Sequence, residues 1–252
     1  MKKTLFYLAA GMLLMVGIAS CERNDIELTT PGGENGDTDT PEVPGEWVDL
    51  GLPSGLLWYS CNIGAATPEE YGDYYAWGEV QTKDIYWYTT YRWCDTGSWK
   101  FTKYCNNPED GHNGFTDMLT VLEPSDDVAT VILGNGAHIP TKEDWEELME
   151  NTSSGWTTQN GTNGWKFTAE NGQSIFLPAA GCIVPVYDDN NIYVIGSRMV
   201  DDVNYGWYQS SSLHPEYPHA YEYSFLYTGY QHVLANGNRV GGRCVRAVRN
   251  QQ

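Results

Sequence analysis

Every helical pattern in this sequence falls before residue 151, and strand patterns crowd behind it. That segregated order excludes a doubly wound sheet, whose strands and helices must alternate. It predicts an α+β domain with a mainly antiparallel sheet in the second half, two to three short helices in the first half and long irregular loops. The clearest helix is Thr141 to Glu150. Thr141 and Asp144 have capping-box spacing, and Trp145, Leu148 and Met149 recur at i, i+3 and i+4 on one face. A second helical stretch runs from Ser125-Asp126-Asp127 to about Ile132 and closes at Gly134-Asn135-Gly136. A third, short one is expected at Thr67-Pro68-Glu69-Glu70, with Pro at the first helical position and acids in the first turn.

Strands are expected at Trp47–Leu50 and Leu56–Cys61, with Tyr74–Trp77 extended. Behind the helices, Trp165–Thr168 and Ser174–Leu177 flank Asn171-Gly172, the strongest short hairpin signal. Further strands are read at Ile192–Ile195, Tyr205–Ser211, Ala220–Tyr227 and Arg243–Val248, with a turn at Asn236-Gly237-Asn238.

The chain opens with Lys2 and Lys3, then an almost wholly apolar run from Thr4 to Ala19. At roughly 16 residues the run is shorter than the ~20 a spanning helix needs. It ends Ile18-Ala19-Ser20-Cys21, which resembles a bacterial lipobox. That resemblance implies a signal peptide at 1–20 and an acylated Cys21 as the mature N-terminus, anchored in outer-membrane lipid. Acylation supplies about 0.8 kcal/mol per buried CH₂. Residues 21–46 read as a tether: Pro31, Pro41, Pro44 and four glycines among acids, with few large apolar side chains to offset the entropy of ordering. A flexible coil of this length spans roughly 25–30 Å. The acids after Cys21 resemble the export signals of Bacteroidetes surface lipoproteins, although a solvated linker has the same composition. The expected location is the bacterial outer membrane, facing outward, with a periplasmic face as the alternative. The folded domain is expected at 47–252.

Thirty-three acids face 14 basic residues, a formal charge of −19. A surface of that sign repels phosphate, which excludes nucleic acid as a partner. Against that background Lys83, Arg92, Lys100 and Lys103 gather in one segment with Tyr86, Trp87, Tyr88, Tyr91, Trp93, Trp99, Phe101 and Tyr104. Exposed rings stack on the CH face of a sugar or anchor a protein. Trp87, Tyr88, Tyr91, Trp93 and Trp99 are therefore the candidate ligand-binding residues, for a glycan or a surface protein. The alternative is that the rings form a satellite core beneath a long loop.

Five cysteines remain after Cys21. Export permits disulfides, and an odd count leaves at least one thiol unpaired within the chain. Cys94 and Cys105 flank a ten-residue loop whose closure is worth on the order of 3 kcal/mol. Cys182 and Cys244 lie on expected strands and form the second candidate pair, while Cys61 reads as a small buried hydrophobe. His214, Glu216 and His219 carry zinc-ligand chemistry, and Asp188–Asn191 with Asp201-Asp202 carry calcium chemistry, but both read more simply as loops. No cofactor is expected, and no hydrolase or phosphate-loop motif occurs.

Five blocks occur in order: Leu50-Gly51-Leu52-Pro53-Ser54-Gly55-Leu56-Leu57-Trp58, Tyr74-Tyr75-Ala76-Trp77-Gly78-Glu79, Ile139-Pro140-Thr141-Lys142-Glu143-Asp144-Trp145-Glu146-Glu147-Leu148, Phe176-Leu177-Pro178-Ala179-Ala180-Gly181, and Gly242-Arg243-Cys244-Val245-Arg246. Over residues 47 to 249 they resemble the Fibrobacter succinogenes major paralogous domain of Bacteroidetes lipoproteins. That family is distantly similar to the formylglycine-generating fold, and so implies a C-type-lectin-like architecture. The oxidase chemistry of the formylglycine-generating family uses two cysteines shortly before the final strand. The stretch from Asp201 to Arg243 has no cysteine. The resemblance therefore implies a binding or adhesion protein of the cell surface ahead of an enzyme.

Overall fold

The computed structural model describes residues 44–187, 193–200, 205–214, 220–226 and 231–251. All belong to one unit, Glu42–Gln252. The lipidation residue Cys21 and the candidate calcium residues lie outside the described residues, as do Glu216 and His219.

Among the described residues the order begins with β1 (Trp47–Asp49) and β2 (Leu56–Asn62), crosses a long irregular segment, and then forms α1 (Val128–Leu133) and α2 (Lys142–Asn151). Nine strands follow: β3 (Thr152–Gln159), β4 (Thr162–Ala169), β5 (Ser174–Pro178), β6 (Cys182–Tyr187), β7 (Tyr193–Val200), β8 (Tyr205–Leu213), β9 (Ala220–Leu226), β10 (Gln231–Gly237) and β11 (Arg246–Asn250). The sheets run β1-β2-β11, β3-β4-β5, β10-β9-β8 and β6-β7, and every strand pair in them is antiparallel. The architecture is thus mixed, with few helices and mostly antiparallel strands. Pairing of β11 with β2 joins the two ends of the domain.

Helix α2 forms where the capping signal places it. Thr141 Oγ1 accepts from the Asp144 amide at 3.2 Å, and the Asp144 carboxylate accepts from the Thr141 amide at 2.8 Å. Its apolar face buries Trp145 and Leu148 in the main core. There Trp145 meets Trp58 of β2 at a centroid distance of 4.8 Å and donates to the Gln209 carbonyl of β8. The β4–β5 hairpin turns at Asn171-Gly172, with Gly172 at φ +83°. A second core holds Trp77, Tyr104, Val128, Ile139 and Val245. A third, beneath the aromatic loop, holds Tyr86, Tyr91, Cys94, Phe101, Cys105 and Val240.

Several expectations are corrected. Thr67–Glu70 is a turn, closed by a bond from the Glu70 amide to the Thr67 carbonyl, and no helix. With Gly64 and Gly72 both at positive φ on either side, too few residues remain to offset a helical nucleus. The Ser125 stretch divides into one 3₁₀ turn (Pro124–Asp126) and the short α1, whose cap is Asp127. One Asp127 oxygen accepts from the Thr130 amide and the other from Ile139. The turn read at Asn236–Asn238 moves toward the C-terminus. Strand β10 runs through Gly237, and Asn238 then accepts from the amides of Val240 and Gly241. Folded chain also extends into the tether: Pro44 accepts from the Tyr59 hydroxyl at 2.6 Å, and Glu46 pairs with Ser60.

Candidate functional site

The aromatic loop is built on a single 3₁₀ turn, Tyr88–Thr90, and two crossings of extended chain at Cys94 and Phe101. It divides its rings between the interior and the surface. Trp87 and Tyr91 are buried. Tyr91 donates to the Trp77 carbonyl at 2.8 Å, and burial raises its phenol pKa. Trp93 is half-buried and donates to the Gly78 carbonyl at 2.8 Å. Gly78 has φ +73°, and a side chain there would crowd the Trp93 indole nitrogen at 3.1 Å. These three rings hold the loop together, which corrects the expectation that the whole cluster faces a ligand.

Trp99 is the exception, at 54% exposure. Its ring lies nearly parallel to Tyr88 (15°, centroids 6.1 Å apart), with Trp87 edge-on at 6.0 Å. Tyr88 is half-buried, and its hydroxyl accepts from the Asn238 amide at 3.2 Å. Trp99 also carries φ +57°, a left-handed conformation costly for a bulky residue. The Asp95 carboxylate imposes it. One oxygen accepts from the amides of Gly97 and Ser98 and from the Ser98 hydroxyl, and the Trp99 amide donates to the Asp95 carbonyl. Those Ser98 bonds hold the Asp95 carboxyl below its ordinary value. Met118, 65% exposed, also sits at positive φ, and Phe115 is exposed near it in sequence.

Asp95, Ser98 and His112 bring hydrolase residue types together without the hydrolase arrangement. Ser98 Oγ lies 3.2 Å and Asp95 3.4 Å from the same ring nitrogen, His112 Nδ1, while Nε2 meets Asn113. A proton relay needs the serine on one ring nitrogen and the carboxylate on the other. The triplet acts as a clamp on the Trp99 turn. Among the described residues no group of three His, Cys, Asp or Glu is arranged to hold a metal.

Beneath the loop lies Arg239, fully buried, its guanidinium 3.3 Å from the centroid of Phe101. Nη1 donates to the Tyr104 carbonyl, whereas Nε and Nη2 have no partner among the described residues. Its position in a Gly/Asn turn carries no sequence signal of burial. Of the candidate cysteines, Cys94 and Cys105 lie within this core, whereas Cys244 belongs to the main core. Cys94 contacts the Asp95 carbonyl and Cys105 the Asn107 carbonyl, so neither pair, Cys94–Cys105 nor Cys182–Cys244, is bridged. Cys244 is held by the Tyr71 carbonyl at 3.2 Å. Burial pushes the Cys94 thiol up to about 11 and raises Cys105 and Cys244 as well.

Behind the Tyr88–Thr90 turn, residues 79–83, Thr90 and Arg92 enclose a cleft of about 400 Å³. Lys83 bonds Glu79 at 2.6 Å and the Thr90 carbonyl at 3.1 Å, and the Glu79 carboxylate also accepts from the Arg92 amide. A larger cleft of about 790 Å³ lies between the Leu50–Pro53 turn and the strands β3 and β4. Its lining includes Glu150 and Glu170 and offers neither an aromatic face nor a cation. The Trp99 platform and the cleft behind it are thus the better-equipped surface. No family profile, curated protein or solved structure matches this chain.

Proposed function

We propose that this chain is a lipid-anchored protein of the bacterial outer membrane that captures a glycan on the Trp99–Tyr88 platform, without catalysis. The observation that carries the reading is Trp99: a large ring, more than half exposed, held in a left-handed conformation by a dedicated carboxylate clamp. Strain of that kind persists where function maintains it. A flat ring backed by a second, nearly parallel ring offers stacking area with few rotatable bonds to freeze. The anchor rests on Cys21 at the end of the apolar run.

The resemblance to the Fibrobacter succinogenes major paralogous domain, and through it to a C-type-lectin-like fold, belongs to the same proposal. Its support is spatial as well as sequential, because the five motif blocks touch. Trp58 meets Trp145, Tyr75 exchanges backbone bonds with Arg243, and Arg246 donates to the Phe176 carbonyl. The second reading is adhesion to a protein subunit, favoured by the exposed Phe115 and Met118 on the same segment.

A glycan array probed with the protein and its Trp99→Ala variant tests the proposal. Capture of a defined glycan class that disappears in the variant supports it. Binding indifferent to Trp99 moves the case to the protein-partner reading. The anchor is tested separately: Cys21→Ser should release the protein from the membrane pellet.

A further inference from the structure

We propose that the cleft between residues 79–83 and Arg92 takes the carboxylate of an acidic sugar, with Arg92 as the recognising fork and Lys83 as the second cation. This rests on the glycan reading above and names the class of sugar.

At about 400 Å³ the cleft is within the range that accommodates a small ligand. It adjoins the platform through a single turn. Tyr88, at the start of the 3₁₀ turn, stacks with Trp99, and Thr90, at its end, lines the cleft. Arg92 is 55% exposed, yet it is not a loose surface arginine. Its guanidinium carbon lies 4.4 Å from the Trp93 ring centroid, so stacking pre-orders the fork before any ligand arrives. The Asp126 carboxylate reaches Nη1 only through Oδ1, at a long 3.9 Å, while its Oδ2 takes Lys103 and the Tyr104 hydroxyl, each at 2.6 Å. That one long contact leaves the rest of the planar donor face open to a carboxylate.

Lys83 supplies the second charge from inside. Its ammonium bonds Glu79 and the Thr90 carbonyl, which occupy two of its three donors, and it packs 5.5 and 5.6 Å from the centroids of Tyr86 and Tyr91. Burial lowers its pKa despite Glu79, so one carboxylate does not fully compensate the ammonium. Glu79 is itself spent on Lys83 and the Arg92 amide. The lining thus carries two cations against one engaged anion. On a chain of charge −19, that is a place where an anion is met by attraction, and screening over about 8 Å confines the repulsion of distant acids. A neutral sugar would gain hydrogen bonds from these cations but no charge pairing, so an acid gains more.

The test is a fluorescence titration of the full chain in detergent with trigalacturonate and with its fully methyl-esterified form. Trp93, directly beneath Arg92, is a built-in reporter. The expected result is that the acid binds at least tenfold more tightly than the ester. Arg92→Gln should abolish that difference, weakening the acid at least tenfold more than the ester. Arg92→Lys, which keeps the charge but loses the fork, should recover only part. Trp99→Ala should weaken acid and ester alike. Equal affinity for acid and ester, or an Arg92→Gln effect of equal size on both, overturns the cleft while leaving the glycan platform standing. Arg92-dependent acid binding that ignores Trp99→Ala supports the cleft and counts against the platform. No quenching by either oligomer overturns the cleft, and the platform is then judged on the array alone.

Discussion

Arg246 of β11 donates from both Nε and Nη2 to the side-chain oxygen of Asn62 in β2, at 3.1 and 2.8 Å. Both residues are buried, and the remaining guanidinium bonds go to the carbonyls of Tyr59, Ser60 and Phe176. Asn62 in turn donates to the Tyr71 carbonyl and the Tyr208 hydroxyl, and Tyr208 donates to the Pro178 carbonyl. One arginine thus links β2, β5 and β11 directly, and β8 through Asn62, using neutral oxygens alone.

Arg246→Met should therefore destabilise the domain by at least about 3 kcal/mol, because it strands several buried acceptors that each cost about 1–3 kcal/mol when unpaired. Arg246→Lys should recover little, since an ammonium cannot reproduce the fork. Urea denaturation checks both. A loss under about 1 kcal/mol for Arg246→Met would show that water reaches these carbonyls.

The parts legible in the sequence were those that local chemistry dictates. Thr141 and Asp144 cap α2, and Asn171-Gly172 turns a hairpin, whatever the rest of the chain does. Strand β3 was not read, because Thr152–Gln159 alternates little. Its residues are Ser, Thr, Gly and Gln with one Trp, on an edge that leaves Ser153, Ser154 and Gly155 exposed. The Asn160-Gly161 turn that joins it to β4 carries the same signal as Asn171-Gly172 and could have found it. Arg239 and Arg246 were beyond reach: charge in sequence reads as surface, and only tertiary contacts made these two interior. For the same reason composition identified the aromatic loop as unusual but could not sort its rings. Burial of Tyr91 and most of Trp93 depends on Arg239 and Val240, nearly 150 residues away.

Those rings should divide in a mutant series. Trp87→Ala removes a buried ring and should cost about 3–5 kcal/mol, as should Trp145→Ala in the main core. Trp99→Gly should stay within about 1 kcal/mol of the parent, because relief of left-handed strain offsets the glycine's added chain entropy. Ligand capture should nevertheless disappear. Thermal denaturation of the three variants decides it. A Trp99→Gly protein as unstable as Trp87→Ala would make the platform part of the core.

All five described cysteines are buried, and none is in a disulfide. With burial raising Cys94 to about 11, its thiolate is scarce at pH 8. Ellman's reagent should find almost no reactive thiol in the native protein and all of them after unfolding. Non-reducing peptide mapping should recover Cys94 and Cys105 unlinked, and a bridge between them would contradict the structure.

The clamp on Trp99 should titrate in a defined direction. Asp95 is an acid whose folded pKa lies below its ordinary 3.8, chiefly through the Ser98 hydroxyl and then the Ser98 amide. A depressed carboxyl contributes stability that is fully present above the unfolded value and lost as pH falls through the folded one. Between pH 5 and 8 Asp95 should therefore leave the turn unchanged. Acidification should release it with a midpoint below 3.8, seen as a shift of the Trp99 indole N–H resonance. Ser98→Ala removes the largest cause, so the midpoint should climb toward 3.8. Asp95→Asn should shift the resonance even at neutral pH, because an amide cannot accept from three donors on one oxygen as the carboxylate does. A midpoint at or above 3.8 in the parent protein would mean that Asp95 does not hold the ring in place.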